Sequence, residues 1–147
     1  MRRLAKFFRM PAVERRYLIE AALSLVVARF ALRWLPYRRL SRLLERAPRQ
    51  PEVTGAEREQ LRKGVQWAID RAAPYLPGEI VCFPRAVAAQ QMLRRRRVGT
   101  TVYYGANTLP ERGLTAHVWL QDGSVGVVGD RSAQDYHIMA RYPTSKP

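Results

Sequence analysis

The spacing of apolar residues changes abruptly at Gly99, and this change limits the fold more than any other feature of the sequence. Before Gly99, apolar residues recur every three or four positions, which is the period of a helix with one buried face. After it, apolar and polar residues alternate and β-branched and aromatic residues become frequent, as in half-buried strands. Helices followed by short strands predict an α+β fold, with N-terminal helices and then a small antiparallel sheet.

Proline and glycine residues divide the part of the chain before Gly99 into four predicted helices. These helices are expected to cover residues 11–35, 37–46, 54–73 and 82–97. In the third, Thr54 and Glu57 have the spacing of a capping box, in which the two side chains bond free amides of the first turn. In the first, apolar residues at helical steps predict a face that packs on the core: Leu18, Ala21, Leu25, Ala28, Leu32 and Leu35.

Three strands are predicted beyond Gly99, and a fourth is an open alternative. Their sequences are TTVYYG, LTAHVWLQ and SVGVVGD, with DYHIMARY as one more strand or a C-terminal clasp. A two-residue Asp-Gly turn at 122–123 is a strong hairpin signal between the second and the third. That turn sets His117 opposite Val128, with Asp130 two residues farther along. His117 and Asp130 then share one face as diagonal neighbours, with β-carbons about 7–8 Å apart.

Cys82, the only cysteine, begins the last predicted helix. The positive end of a helix stabilises a thiolate, and the free amides of its first turn can hold the oxyanion of an acyl-transfer intermediate. A histidine within reach can take the thiol proton, and a carboxylate can fix the tautomer of its ring. Cys82, His117 and Asp130 are therefore the candidate catalytic residues. Asp122, in the turn, lies about 17 Å from His117 along the strand and is the poorer partner.

Each of these residues also has a purely structural interpretation. A lone cysteine on a half-apolar helix is often inert core filling, and a strand histidine beside Trp119 can simply be half-buried. His137 competes for the catalytic role, although no acidic residue faces it across a predictable hairpin. Asp130 can be a turn cap. One cysteine and two histidines argue against a structural zinc site, so neither a metal nor another cofactor is expected.

Positive charge is concentrated near the N-terminus: the net charge is +14, and residues 1–50 contain 13 basic and 3 acidic residues. Such a charge favours an acidic partner, either a peptide or an anionic membrane surface, although a solvated arginine-rich face is an equally good interpretation. Motifs of nucleic-acid-binding domains are lacking, so no nucleic acid is expected. The apolar stripe of the first helix is longer than a small sheet can cover, so part of it is expected to meet a partner or a membrane.

The compartment and the domain organisation follow from weaker signals. A single cysteine cannot form an internal disulfide and suits a reducing compartment. Arg29 and Arg33 interrupt the apolar N-terminal segment and no small-residue cleavage site follows, so neither a signal peptide nor a spanning helix is expected. We therefore expect a cytoplasmic protein. The predicted organisation is one compact domain, in which residues 1–50 form a basic helical region and residues 54–147 the core.

Two segments carry a resemblance to a known family, and residues 7–40 add a similar opening helix. The segments are CFPRAVAAQQMLRRRRVGTTVYYGA and LTAHVWLQDGSVGVVGD. Together they resemble the transglutaminase-like cysteine peptidases that remove the leader in lasso peptide biosynthesis. The resemblance implies a papain/transglutaminase-like core and a Cys-His-Asp triad, whose members match Cys82, His117 and Asp130. It also implies the stand-alone form, which lacks the leader-recognition domain.

The expected function is that of a cysteine endopeptidase that cleaves the leader from a ribosomally made precursor peptide through an acyl-enzyme. The resemblance implies two protein partners: a separate leader-recognition protein and an ATP-dependent lasso cyclase that receives the freed core. A transglutaminase or acyltransferase on the same triad is an alternative, because both share the thioester intermediate. A non-catalytic basic adaptor that binds an acidic peptide or a membrane surface is the alternative from another class.

Overall fold

Helices precede strands in the computed structural model, which describes residues 1–78 and 81–143. The helices are α1 (Arg2–Arg9), α2 (Ala12–Trp34), α3 (Tyr37–Leu44), α4 (Gly55–Ala72) and α5 (Cys82–Arg95). The strands are β1 (Thr101–Leu109), β2 (Gly113–Asp122), β3 (Val125–Val128) and β4 (His137–Pro143). Two short 3₁₀ helices cover Ala73–Tyr75 and Asp130–Asp135.

The strands form one antiparallel sheet in the order β3-β2-β1-β4. β1 pairs with β2 over its whole length on one side and with β4 on the other. The C-terminal tail is therefore a strand, which is the first of the two alternatives that the sequence leaves open. N-terminal helices followed by an antiparallel sheet confirm the predicted α+β fold.

The core lies between one face of the sheet and four helices, α2, α3, α4 and α5. α5 packs directly on the sheet, where Val118 and Leu120 of β2 join its buried residues. Strand side chains alternate between the two faces, so His117 and Trp119 lie on the other one. We call the face with Val118 and Leu120 the inner face, and the face with His117 and Trp119 the outer face.

α2 turns one side towards this core. Ala21, Leu25 and Ala28 are buried, and Leu18 and Leu32 pack half-buried against the cluster. The predicted core stripe of the first helix is therefore confirmed from Leu18 to Leu32, and the expectation that part of this stripe meets a partner or a membrane is wrong for these residues, because they pack on the core. None of the helices in the described ranges is both long enough and apolar enough to cross a membrane.

An ion-pair cluster joins the start of α4 to the end of β2. The Arg58 Nε lies 3.0 Å from both carboxylate oxygens of Asp122, and its Nη2 donates to Oδ1 at 2.6 Å. The same guanidinium bonds Glu52 at 3.0 Å and the carbonyl oxygens of Val53 and Gly99 at 3.0 and 2.9 Å. Burial disfavours the charge of Glu52, but hydrogen bonds from Arg58 and from the Gly99 amide outweigh it and hold the pKa of Glu52 below its usual value. The cluster fixes this end of the sheet against the helices.

The predicted register of the β2–β3 hairpin is wrong, because its turn lies one residue later. Asp122 pairs with Val125, which leaves Gly123 and Ser124 in the turn. Gly123 supplies a positive φ of 61° at the first turn position, while the ion-pair cluster holds Asp122 in the last position of the ladder. A distant arginine therefore outweighs the local Asp-Gly signal.

The third strand is also shorter than predicted. An irregularity in the pairing sets Val128 opposite Leu120 rather than opposite His117, and β3 ends there. Gly129 has a left-handed backbone with φ of 71°, which turns the chain out of the sheet. Asp130 consequently begins a 3₁₀ helix and is not a strand residue.

Two features of the helical part differ from the prediction. α1 precedes the first predicted helix, and none of its residues is buried. Thr54 stands at the N-cap of α4 without a side-chain cap hydrogen bond, so the predicted capping box is wrong. The reason lies in Gly55, whose φ of 65° takes the first helical residue out of the geometry of a regular first turn.

Candidate active site

Cys82 is the first residue of α5, which confirms the predicted helix start. Its side chain is half-buried at the edge of the core and forms no disulfide. Pro84 lies in the same first turn, where helix amides have no carbonyl partner within the helix, so its missing N–H leaves no hydrogen bond unmade. The other free amides and the positive end of the 14-residue helix favour negative charge at this position.

His117 lies half-buried on the outer face of β2 among aromatic rings. Its ring stacks on Trp119 with centroids 5.9 Å apart, and Tyr136 lies against it at 5.1 Å. Its Nε2 is 2.7 Å from the carbonyl oxygen of Gly129 and 3.4 Å from the Ser132 hydroxyl. Because a carbonyl oxygen only accepts, the bond to Gly129 requires the hydrogen on Nε2. A neutral His117 then keeps an unprotonated Nδ1, which is the atom able to take a proton.

Asp130 lies on the same outer face, but its hydrogen-bond partner is Gln121. The Gln121 Nε2 donates to Oδ1 of Asp130 at 2.6 Å. Gly126 faces the Asp130 side chain, and a Cβ at Gly126 would overlap that side chain. The glycine therefore leaves room for the carboxylate. In the described part of the chain, the carboxylate makes no hydrogen bond to the His117 imidazole.

The outer face thus brings together His117, Asp130 and the Gly129 carbonyl. Cys82 belongs to α5, which packs against the inner face. Among residues 1–78 and 81–143, no hydrogen bond joins the Cys82 sulfur to His117 or to Asp130. The competing histidine, His137, is exposed at the start of β4. Within the described ranges, the outer face therefore holds His117 and Asp130 without a hydrogen bond between them, and the Cys82 thiol is bonded to neither.

Sequence reasoning missed three groups around His117 and Asp130: the Gly129 carbonyl and the Ser132 hydroxyl beside His117, and Gln121 beside Asp130. Gln121 carried a signal, because it follows His117 by four residues on one strand and must share its face. No sequence pattern indicates the Gly129 carbonyl, because its direction depends on the left-handed turn that follows the irregular pairing of β3.

A cleft of about 530 Å³ opens on the outer face beside Asp130. The rings of Tyr103, Trp119 and Tyr136 line it, and Trp119 stacks on Tyr103 with centroids 5.5 Å apart. Arg141 also lines it, so an aromatic wall and two opposite charges surround the space. Within the described residues, no group of three His, Cys, Asp or Glu side chains lies close enough to hold a metal ion.

The fold and these residues define an α+β domain with a cysteine at a helix start and a histidine in the adjoining antiparallel sheet. A family model described as the transglutaminase-like superfamily matches residues 22–141, and this range includes Cys82, His117 and Asp130. The chain belongs to the transglutaminase-like superfamily. Members of that superfamily are generally cysteine proteases or acyltransferases and typically use a Cys-His-Asp triad. Comparison with curated proteins and with solved structures gives no match.

Proposed function

We propose that this protein is a cysteine endopeptidase that removes the leader from a ribosomally made lasso precursor peptide. The superfamily match over residues 22–141 carries the proposal, because that range holds a cysteine that begins a helix and a histidine that shares a sheet face with an aspartate. The lasso substrate is proposed from the resemblance of the Cys82 helix and the His117 strand to leader peptidases. We assign the reaction to the cytoplasm, because a lone cysteine suits a reducing compartment.

In the proposed reaction, Cys82 is the nucleophile and His117 the general base. Nδ1 of His117 takes the thiol proton, and the sulfur attacks the carbonyl carbon of the last leader residue. Free amides in the first turn of α5 stabilise the oxyanion of the tetrahedral intermediate. His117 then gives the proton to the departing amine, which becomes the N-terminus of the core, and the leader remains as a thioester. Water, deprotonated by His117, hydrolyses the thioester and releases the leader as a carboxylic acid.

Asp130 and Gly129 have complementary roles in this proposal. The Gly129 carbonyl accepts the Nε2 hydrogen of His117 at 2.7 Å and so keeps Nδ1 free for the thiol proton. The Asp130 carboxylate, one residue farther along, stabilises the positive charge that the imidazole acquires. Gln121 positions that carboxylate through its 2.6 Å hydrogen bond.

The proposal requires the Cys82 sulfur and the His117 ring to meet during the reaction. In this structure the Cys82 helix packs on the inner face and His117 lies on the outer face, so their meeting requires one of the two segments to rearrange and not only a long catalytic hydrogen bond to close. An engineered disulfide tests this approach, because disulfide-bonded residues have Cα atoms about 5.5–6 Å apart. With a non-cleavable precursor bound, the cysteine introduced by His117→Cys should form a disulfide with Cys82. The cysteine introduced by Val125→Cys, in the same hairpin, should not. No disulfide in His117→Cys, with or without precursor, would contradict joint action of the two residues.

Cleavage of the full precursor tests the function directly. The purified protein with the recognition protein should release leader and core, as detected by mass spectrometry. Cys82→Ala should abolish cleavage, and Asp130→Asn should lower kcat by about 10²–10⁴-fold, because the negative charge that stabilises the imidazolium is lost. Ser124→Ala, at the exposed hairpin turn, is the matched control and should keep full activity. Intact precursor after incubation with the wild-type pair would refute the peptidase proposal.

An acyltransferase is the second candidate, because the superfamily generally includes both activities. The thioester on Cys82 is the same in both reactions, and only the acceptor differs. A fluorescent primary amine added to the reaction distinguishes them, since a peptidase yields a free carboxylic acid and an acyltransferase yields the amide. Under the third alternative, a basic adaptor, Cys82→Ala would leave function in the producing cell unchanged.

We propose two protein partners besides the precursor: a separate leader-recognition protein and an ATP-dependent lasso cyclase. The recognition protein would bind the leader and this enzyme together, which raises the local substrate concentration to about the millimolar range without a new catalytic contact. We therefore expect kcat/KM for the precursor to rise when the recognition protein is added. Equal values with and without it would contradict a split system.

A further inference from the structure

α2 carries a second apolar stripe opposite its core stripe. It consists of Ile19, Leu23, Val26, Val27, Phe30 and Trp34, whose exposed fractions range from 37% to 76%. At 3.6 residues per turn, the centre of this stripe lies about 180° around the helix from the core stripe. We call it the exposed stripe. A contiguous apolar surface of this kind marks a protein or membrane contact in soluble domains.

Positive charge flanks the exposed stripe. Arg16 and Arg33 are exposed, and neither forms a hydrogen bond or ion pair with any described residue. The acidic residue beside the stripe, Glu20, is already paired with Arg95 at 3.0 Å and with Arg96. Burial disfavours the Glu20 charge, but the hydrogen bonds and charges of these two arginines outweigh it and hold the pKa of Glu20 below its usual value. The flanks of the stripe therefore complement an anionic surface.

α1 and the end of α2 add further exposed apolar and basic residues. α1 contains four basic residues and no acidic one, and its Leu4 and Phe8 are 65% and 69% exposed. It is joined to α2 by a hydrogen bond of 3.0 Å from Arg15 to the Phe8 carbonyl. At the other end, Trp34 and Tyr37 are both largely exposed, and amphipathic rings of this type prefer the headgroup level of a bilayer.

We propose that the exposed stripe of α2 lies flat on an anionic lipid bilayer, with its apolar side chains below the headgroups and the flanking arginines at the lipid phosphates. A helix with an apolar face and cationic flanks binds in this way. A second copy of the chain is the poorer occupant, because a symmetric contact through α2 would bring the flanking arginines of one copy towards those of the other. This membrane contact goes beyond the proposed peptidase function and does not depend on it.

Vesicle sedimentation tests the contact with the full-length protein. Vesicles of phosphatidylcholine with about one third phosphatidylglycerol should bind the protein, vesicles of phosphatidylcholine alone should bind it far less, and added salt should weaken the binding. Arg16→Gln with Arg33→Gln should weaken binding by about fivefold per arginine. Leu23→Gln with Phe30→Gln should weaken it on the order of tenfold or more. No binding of the wild type to the anionic vesicles would overturn the proposal.

A matched control and a site-specific readout make the test independent of folding defects. Leu114→Gln with Val125→Gln removes two exposed apolar side chains from the sheet and should leave binding unchanged. Brominated lipids should quench a larger fraction of the tryptophan fluorescence in the wild type than in Trp34→Phe, because Trp34 enters the headgroup layer. Equal quenching in the two would overturn the proposal. Vesicle binding that is unchanged in Leu23→Gln with Phe30→Gln would also overturn it. The same holds if the exposed stripe is needed for a dimer or for a complex with the recognition protein and the protein does not bind vesicles.

Discussion

Asp122→Asn should lower the stability of this protein without lowering kcat of the folded fraction. The sequence alone indicates only that Asp122 is a turn residue. The carboxylate is 7% exposed and accepts hydrogen bonds from Arg58 at 2.6 and 3.0 Å, with Arg62 at 3.5 Å. Asparagine keeps one acceptor and loses the charge. The Arg58 guanidinium would then remain half-buried beside a neutral amide.

The size of the effect follows from how the cluster is buried. Removing one partner of a fully buried ion pair costs about 3–5 kcal/mol. Here the Arg58 side chain is 22% exposed and keeps Glu52 and two carbonyl oxygens as partners, so the penalty is smaller. We expect a loss of about 2–3 kcal/mol in the free energy of unfolding. For a chain of this length the melting temperature should fall by about 5–10 °C.

Urea unfolding followed by circular dichroism measures this loss, and precursor cleavage at low temperature measures kcat for the folded fraction. Glu59→Gln breaks the exposed pair with Lys63, in which both side chains are more than half exposed, and is the matched control. Arg58→Gln with Asp122→Asn should cost less than the sum of the single changes, because the two side chains interact directly. A loss for Asp122→Asn no larger than that for Glu59→Gln, or a strictly additive double variant, would refute the reasoning.

Three further predictions concern other parts of the molecule. Burial and the hydrogen bond with Tyr37 raise the pKa of Tyr142 to about 12. The neutral Tyr142 hydroxyl therefore contributes to stability below pH 10, and this contribution is lost as pH rises towards 12. Tyr37→Phe should move the midpoint of alkaline unfolding to lower pH. The pKa of Glu20 is lowered in the folded protein, so the ionised Glu20 stabilises the fold above the unfolded pKa of about 4.5, and this stabilisation is lost as pH falls through the folded pKa. In Glu20→Gln, the free energy of unfolding measured with urea should therefore fall less steeply as the pH is lowered. Gly126→Ala should displace Asp130 and lower kcat as Asp130→Asn does, with little further loss when both changes are combined; independent losses measured by precursor cleavage would contradict this coupling.

The secondary structure could be predicted where one signal dominates locally. The change of period at Gly99 separates helices from strands, and the start of α5 at Cys82 follows from the apolar pattern and the breakers before it. The alternation after Gly99 likewise places His117 and Trp119 on one face of β2. These features depend on neighbours in the sequence, so no knowledge of distant contacts is needed.

The hairpin register could not be predicted in the same way, because distant residues decide it. Arg58 lies 64 positions before Asp122, and its guanidinium holds that carboxylate in the ladder instead of the turn. The one-residue shift and the irregular pairing then end β3 at Val128. As a result the partner of the His117 Nε2 is the Gly129 carbonyl, which no side-chain pattern can indicate.

α2 illustrates a different limit, because periodicity predicted its buried stripe correctly but did not show the second apolar stripe on the opposite side. Side-chain size distinguishes the two stripes. The buried side is built on Ala21 and Ala28 around Leu25, and small residues let α2 approach α4 and α5 closely. The opposite side carries Phe30 and Trp34, whose rings are too large for such an approach. A helix that places its alanines towards the core and its largest rings away from it keeps a second apolar surface exposed, and this is the surface that we propose to lie on a lipid bilayer.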